Sequence, residues 1–373
     1  MKNIQSFFKR RKSIGSAMLF SLLSFSCVGQ VDKNTTPLKF KVEQTILPEY
    51  LISIRAEIMP EFKLDSHDKK DQGNQISGVV RTVFQDAKGN MWFGTQNGLC
   101  RKDQNGLAYF DLKDADGKSV TVHVILEDKK GAIWIGFGGG IAKYDGGSFT
   151  VFHEKNVLAP SSLWSMKMDI KGILWIGTTQ GIFTFDGDYL TAFEIPEGKI
   201  DTSRGVSTTK IVHSIMEDSN GKMWFGTNGG AYVYDGKTLR AISEKDGLQS
   251  NFVNSILEDK QGKIWIATTS GLSSFDGEKL TNVTAGILDK GVGTSSLLED
   301  KSGAIWFTTN NGREVYRYED NQFKKHQIVE GKYGPSTFEI YEDQQYRLWF
   351  VGFKGAYRYD TGTFVNITRN GPW

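Results

Sequence analysis

Only two cysteines, Cys27 and Cys100, stand among 373 residues. That excludes a disulfide-stapled scaffold, so the fold must rest on its core. Proline is scarce at seven, and the 42 glycines follow no collagen period, which excludes proline-rich and collagen-like chains. The apolar run at residues 17–25 is too short for an ordinary transmembrane helix. Beyond residue 26 there is no basic block. Residues 1–26 hold five basic side chains (Lys2, Lys9, Arg10, Arg11, Lys12) and no acidic one. The remainder sets 40 basic residues against 43 acidic, a net of −3, so nucleic acid is not an expected partner. What is abundant is apolar and aromatic: 39% hydrophobic residues, nine Trp and 24 Phe. Such a chain buries a large core, which excludes disorder, and its aromatics favour β structure.

A basic start followed by a short apolar run reads as a secretory signal over residues 1–26. It ends Leu23-Ser24-Phe25-Ser26-Cys27. A small residue just before Cys resembles the lipobox of bacterial lipoproteins, and that resemblance implies lipidation of Cys27. Phe25 departs from the pattern. The expectation is an exported protein of the bacterial cell envelope, in the periplasm or on the outer membrane, touching the membrane only through its lipid. Cys100 lies in an apolar strand pattern and reads as a small buried hydrophobe.

A tryptophan recurs at Trp92, Trp134, Trp175, Trp224, Trp265, Trp306 and Trp349. Six residues before each stands an aspartate: Asp86, Asp128, Asp169, Asp218, Asp259, Asp300 and Asp343. Six residues after each stands a glycine, from Gly98 to Gly355. Each unit holds four strand-like runs separated by turn signals. In the fifth these cover residues 252–257, 263–268, 271–275 and 279–283. Four short antiparallel strands repeated seven times predict an all-β, seven-bladed β-propeller over residues 78–368. The aspartates read as acceptors for their own turns, and the tryptophans as packing between blades. Residues 27–77 read as a tether and a segment packing on the propeller. Within it, residues 38–65 are expected on the rim or as an added edge strand.

The fifth unit runs Asp246-Gly247-Leu248-Gln249-Ser250-Asn251-Phe252-Val253, then Ile256-Leu257-Glu258-Asp259-Lys260-Gln261-Gly262-Lys263-Ile264-Trp265-Ile266. This resembles the two-component regulator propeller repeat, and every unit matches its EDxxGxxW core to some degree. The resemblance implies a relation to the extracytoplasmic sensor regions of hybrid histidine kinases, notably of glycan-utilisation systems. An oligosaccharide or other small polar ligand, or an envelope signalling protein, is then the expected partner. The repeats run nearly to residue 373, so no kinase segment is expected within the chain. Two departures stand out. The sixth unit has Arg317 where others carry Asp, and the fourth has eight extra residues around 198–207.

With strands ordered from centre to rim, the Asp-x-x-Gly and Tyr-Asp-Gly turns share one face. The loops between blades and between second and third strands share the other, which varies, so a specific site is expected there. Eleven residues before each Trp, the ring reads Arg81, His123, Trp164, His213, Asn254, Ser295 and Phe338. A cation, imidazoles, aromatics and small polar groups suit a sugar, because aromatic faces stack and polar groups orient. The candidate ligand-binding residues are Arg81, His123, Trp164, His213, Asn254 and Phe338, with loop residues Gln96, Asn97, Gln180, Asn228, Asn310 and Lys354 nearby. His123 and His213, two blades apart, are weighed as metal ligands or as an acid–base pair. No nucleophile elbow, zinc motif or phosphate loop accompanies them. The expectation is therefore a non-enzymatic chain with no metal, no cofactor and no catalytic residue; a channel-mouth lyase or hydrolase and an envelope scaffold are the alternatives. Asp114-Ala115-Asp116-Gly117 and Asp218-Ser219-Asn220-Gly221 begin like calcium loops but lack the closing glutamate, and read as turns.

Overall fold

The computed structural model describes residues 51–53, 55–59, 73–153, 162–198, 208–309, 314–327, 336–360 and 362–373. The signal region, Cys27, the tether, His67, Asn310 and most of the fourth-unit insertion lie outside these residues. Seven antiparallel sheets form seven blades, each with four strands from its own sequence unit. The inner strands are Val80–Gln85, Val122–Glu127, Leu163–Met168, Val212–Glu217, Val253–Glu258, Thr294–Glu299 and Thr337–Glu342. Each packs against the next, and the last packs against the first, closing a ring around a central channel.

One device repeats in every blade. The aspartate after the inner strand accepts, on Oδ1, the backbone N–H groups two and four residues on, as Asp218 does from Asn220 and Lys222. Its Oδ2 accepts the indole N–H of the blade's Trp at 2.7–3.0 Å in all seven units. One carboxylate thus satisfies a turn and a buried indole together. Burial works against the Asp128 carboxylate, and the bonds from Trp134, Ala132 and Lys130 outweigh it, holding its carboxyl below the usual value. The indoles also join blades. Trp92 meets Tyr144, Trp134 meets Phe185, Trp175 meets Tyr234, Trp224 meets Phe275, Trp265 meets Tyr318 and Trp306 meets Tyr359, each ring on the following blade.

The residue before that aspartate makes a second link. Glu127, Glu217, Glu258, Glu299 and Glu342 each accept the backbone N–H just after the aspartate of the preceding blade, at 2.6–3.0 Å. Gln85 does the same to Gln344 across the closing seam. The exception is the seam between blades two and three, where Met168 occupies this position and Lys129 donates instead to the Ile170 carbonyl. Two N-terminal strands sit on the outer edges of those same two blades. Leu51–Ser53 pairs antiparallel with Tyr189–Phe193 of blade three, and Arg55–Met59 with Phe149–His153 of blade two.

Closure between blades seven and one uses both termini of the repeat region. Arg369 donates through its backbone N–H to Asn74 O and through Nε to Gln75 O. Blade one carries Lys102 where other blades carry the Tyr or Phe of the third strand. Trp373 supplies the aromatic ring there, 6.1 Å from Phe93 and 5.5 Å from the Lys102 ammonium. Cys100 is fully buried in this part of the core. In blade six the third strand, Glu314–Glu319, runs into a turn at Asp320-Asn321. There Arg317 pairs with Glu319 and reaches Asp300.

Candidate functional site

The ring residues owe their placement to a backbone irregularity. In six blades the inner strand slips register against its neighbour over one residue, and that residue is Arg81, His123, Trp164, His213, Asn254 or Phe338. A β-bulge leaves the extra residue unpaired and re-aims its side chain, here into the channel. Blade six differs. The slip falls beyond Ser295, at Ser296 and Leu297, with Ser296 at φ +53°, and Ser295 stays in the ladder opposite Thr308.

All seven positions line one cavity of about 790 Å³ at the channel mouth. Four of its lining side chains form an arc of rings. His123 and Trp164 lie 5.5 Å apart, Trp164 and His213 5.7 Å, and His213 stacks on Phe252 at 4.8 Å. Trp164 is 40% exposed, an unusual state for a tryptophan in so packed a ring. Opposite, the Arg81 guanidinium lies 4.5 Å over Phe338, whose ring meets Phe353 at 4.9 Å.

Burial, then the charge of Arg81, pushes the His123 pKa down to about 4, so its imidazole is neutral near pH 7. His213 is lowered by burial and partly restored by Asn228. The Asn228 amide is oriented by donating to Thr208 O, so its Oδ1 accepts from His213 Nε2 at 2.6 Å. That fixes the tautomer and leaves Nδ1 as an acceptor. Asn254 donates to Thr294 O on the next blade. The two imidazoles flank Trp164 on either side rather than meeting. Among the described residues no three His, Cys, Asp or Glu side chains come together as a metal cluster.

Among the described residues, the only carboxyl lining the cavity is Glu339. Its Oε2 accepts the Val83 N–H at 3.0 Å, and burial lifts its pKa to about 7. Sequence reasoning missed Glu339, Phe252 and Phe353. The first lies one residue past the ring position, and the aromatics belong to loops of the face expected to vary. Of the loop residues named from sequence, Asn228 joins a ring side chain, His213. His153 and His326 sit on outer strands, away from the channel. Asp114 accepts from Asp116 and Lys118 in an ordinary turn.

These features define a class: a seven-bladed propeller whose polar, aromatic cavity opens on its variable face. The family model described as two component regulator propeller matches residues 74–97, 205–229 and 247–270. Among solved structures it is similar to two extracellular domains assigned to hybrid two component systems of B. thetaiotaomicron. One is 24% identical with a TM-score of 0.61, covering 81% of this chain and 41% of the other. The second is 19% identical with a TM-score of 0.59, covering 81% and 39%. The chain thus spans about two fifths of their length. It is also similar to virginiamycin B lyase from Staphylococcus aureus, solved as an inactive variant with quinupristin. The identity is 13% and the TM-score 0.60, over 81% of this chain and 97% of that one. At these identities the likeness speaks to the fold. No curated protein matches the chain by sequence.

Proposed function

We propose that this protein is an exported ligand-sensing propeller, non-catalytic, that takes an oligosaccharide at the mouth of its channel. The observation that carries this reading is the arc His123–Trp164–His213–Phe252, with the half-exposed Trp164 at its centre. Flat aromatic faces stack on sugar rings, and the Arg81 and Asn254 polar groups, both lining the cavity, orient hydroxyls. Residues 1–26 act as the signal and Cys27 as the lipidated anchor on this reading. The signalling partner is an envelope protein that reads the occupied face.

The enzymatic alternative rests on Glu339, whose pKa near 7 suits a general base. Its carboxyl is committed to the Val83 N–H, and neither imidazole is paired with a carboxylate, so binding is favoured over turnover. A thermal-shift screen against oligosaccharides tests the proposal. A ligand at a hundredfold its Kd adds about 2.7 kcal/mol. Trp164→Ala is expected to weaken binding at least tenfold without lowering the ligand-free Tm. Unchanged affinity in that variant would remove the channel mouth from consideration, and product formation from any bound glycan would restore the enzymatic alternative.

A further inference from the structure

Among the described residues, the Arg81 guanidinium is the only cationic group lining the cavity. It forms no ion pair and no hydrogen bond with any described residue. Its Nε is sealed from solvent with no partner. Its Cζ lies 4.5 Å over the Phe338 ring, and the side chain lines the cavity. The neighbouring His123 is neutral and brings no counter-charge. Glu339, the single carboxyl among the described lining residues, is turned to Val83 and Thr82. A half-buried guanidinium without a partner among the described residues is left unsatisfied, and a planar fork of N–H donors matches a carboxylate.

From this we infer that the ligand carries an anionic group, and that Arg81 grips the carboxylate of an acidic saccharide while its rings lie on the aromatic arc. The inference rests on the saccharide reading above and narrows it to uronate-bearing glycans. A sulfate ester presents similar oxygens to the same fork, so it is the one other source of the charge.

The test is calorimetric titration of the full chain with uronate oligosaccharides and their carboxyl-reduced, neutral counterparts of equal length. The acidic member of a pair is expected to bind about tenfold to a hundredfold tighter. That margin should shrink as salt is raised, and Arg81→Gln should level the two members at the weaker affinity. Arg81→Lys keeps the charge without the fork and should fall between. Equal affinity for acidic and neutral members, unaffected by Arg81→Gln, overturns this inference and leaves the saccharide reading standing. Binding of a sulfated but not a carboxylated oligosaccharide, lost in Arg81→Gln, keeps the anion and reassigns its source to sulfate. Binding of neither member of any pair, with sulfated glycans also silent, removes both readings. Should Arg81→Gln fail to fold, the salt dependence of the wild-type preference decides alone.

Discussion

Glu339 and Ser214 occupy corresponding positions, one residue past the bulge, and each accepts a backbone N–H from the next blade: Glu339 from Val83, Ser214 from Ile256. A carboxyl standing where a hydroxyl suffices makes that link sensitive to pH. Burial raises the folded-state pKa of Glu339 to about 7 from an ordinary 4.5. The folded protein therefore holds this proton more tightly than the unfolded chain does. The stability it contributes is complete below the unfolded pKa and is lost as pH rises through about 7. Glu339→Gln keeps an acceptor for Val83 and abolishes the titration. Melting temperatures at pH 5 and pH 8 should converge in the variant by on the order of 2 °C or more relative to wild type. A wild-type Tm that is flat or rising across that interval, and unchanged in slope by the substitution, would contradict this account.

The blade is the unit at the next scale, and what distinguishes one blade from another is how it is tied to its neighbours. Six seams carry the link from an inner-strand Glu or Gln to a backbone N–H. The seam between blades two and three has Met168 at that position, and the strands Leu51–Ser53 and Arg55–Met59 lie on the outer edges of those two blades. Consecutive strands hydrogen-bonded to two neighbouring blades act as a strap across the seam, and they cover two exposed sheet edges besides. A chain beginning at residue 60 should melt at a lower temperature than the full chain. Hydrogen exchange should rise first in Phe149–His153 and Tyr189–Phe193. Faster exchange spread evenly over all seven outer strands would argue against a local strap.

A propeller ring must close, and among the described residues no blade borrows a strand from the other end of the repeat array. Closure relies on side chains and on short contacts from the flanking segments. Gln75 and Val79 bridge to Thr368 and Phe353, and Trp373 fills the space left by Lys102 in blade one. Because each blade touches only its neighbours, a weakened seam lowers the stability of the whole ring. Trp373→Ala should cost about 2 kcal/mol, less than a fully buried tryptophan because its ring is only partly covered. Denaturant unfolding reads the loss as a lower midpoint. Hydrogen exchange should localise it to Val80–Gln85 and Thr337–Glu342. A change below a few tenths of a kcal/mol would mean that the backbone bridges close the ring unaided.

Much of this was legible in the residues alone. The Asp, Trp and Gly recurrences specified seven four-stranded blades, because a once-per-blade residue must serve a once-per-blade contact. The ring of Arg81, His123, Trp164, His213, Asn254 and Phe338 followed from counting back from each tryptophan. Counting did not reveal that these residues are bulges, since a register slip depends on how two strands settle against each other. Nor did it reveal that the indole N–H is the second partner of each aspartate, or that the glutamate beside it reaches another blade. Glu339, Phe252 and Phe353 escaped notice for the same reason: they come from positions without a repeat signal, and only ring closure sets them on one wall. Local period and turn chemistry act along the chain, so the sequence by itself determined the blades and their number. The seam without its link, the strap over it and an Arg81 without an ion pair among the described residues arise between segments far apart in sequence, and those the tertiary structure alone decided.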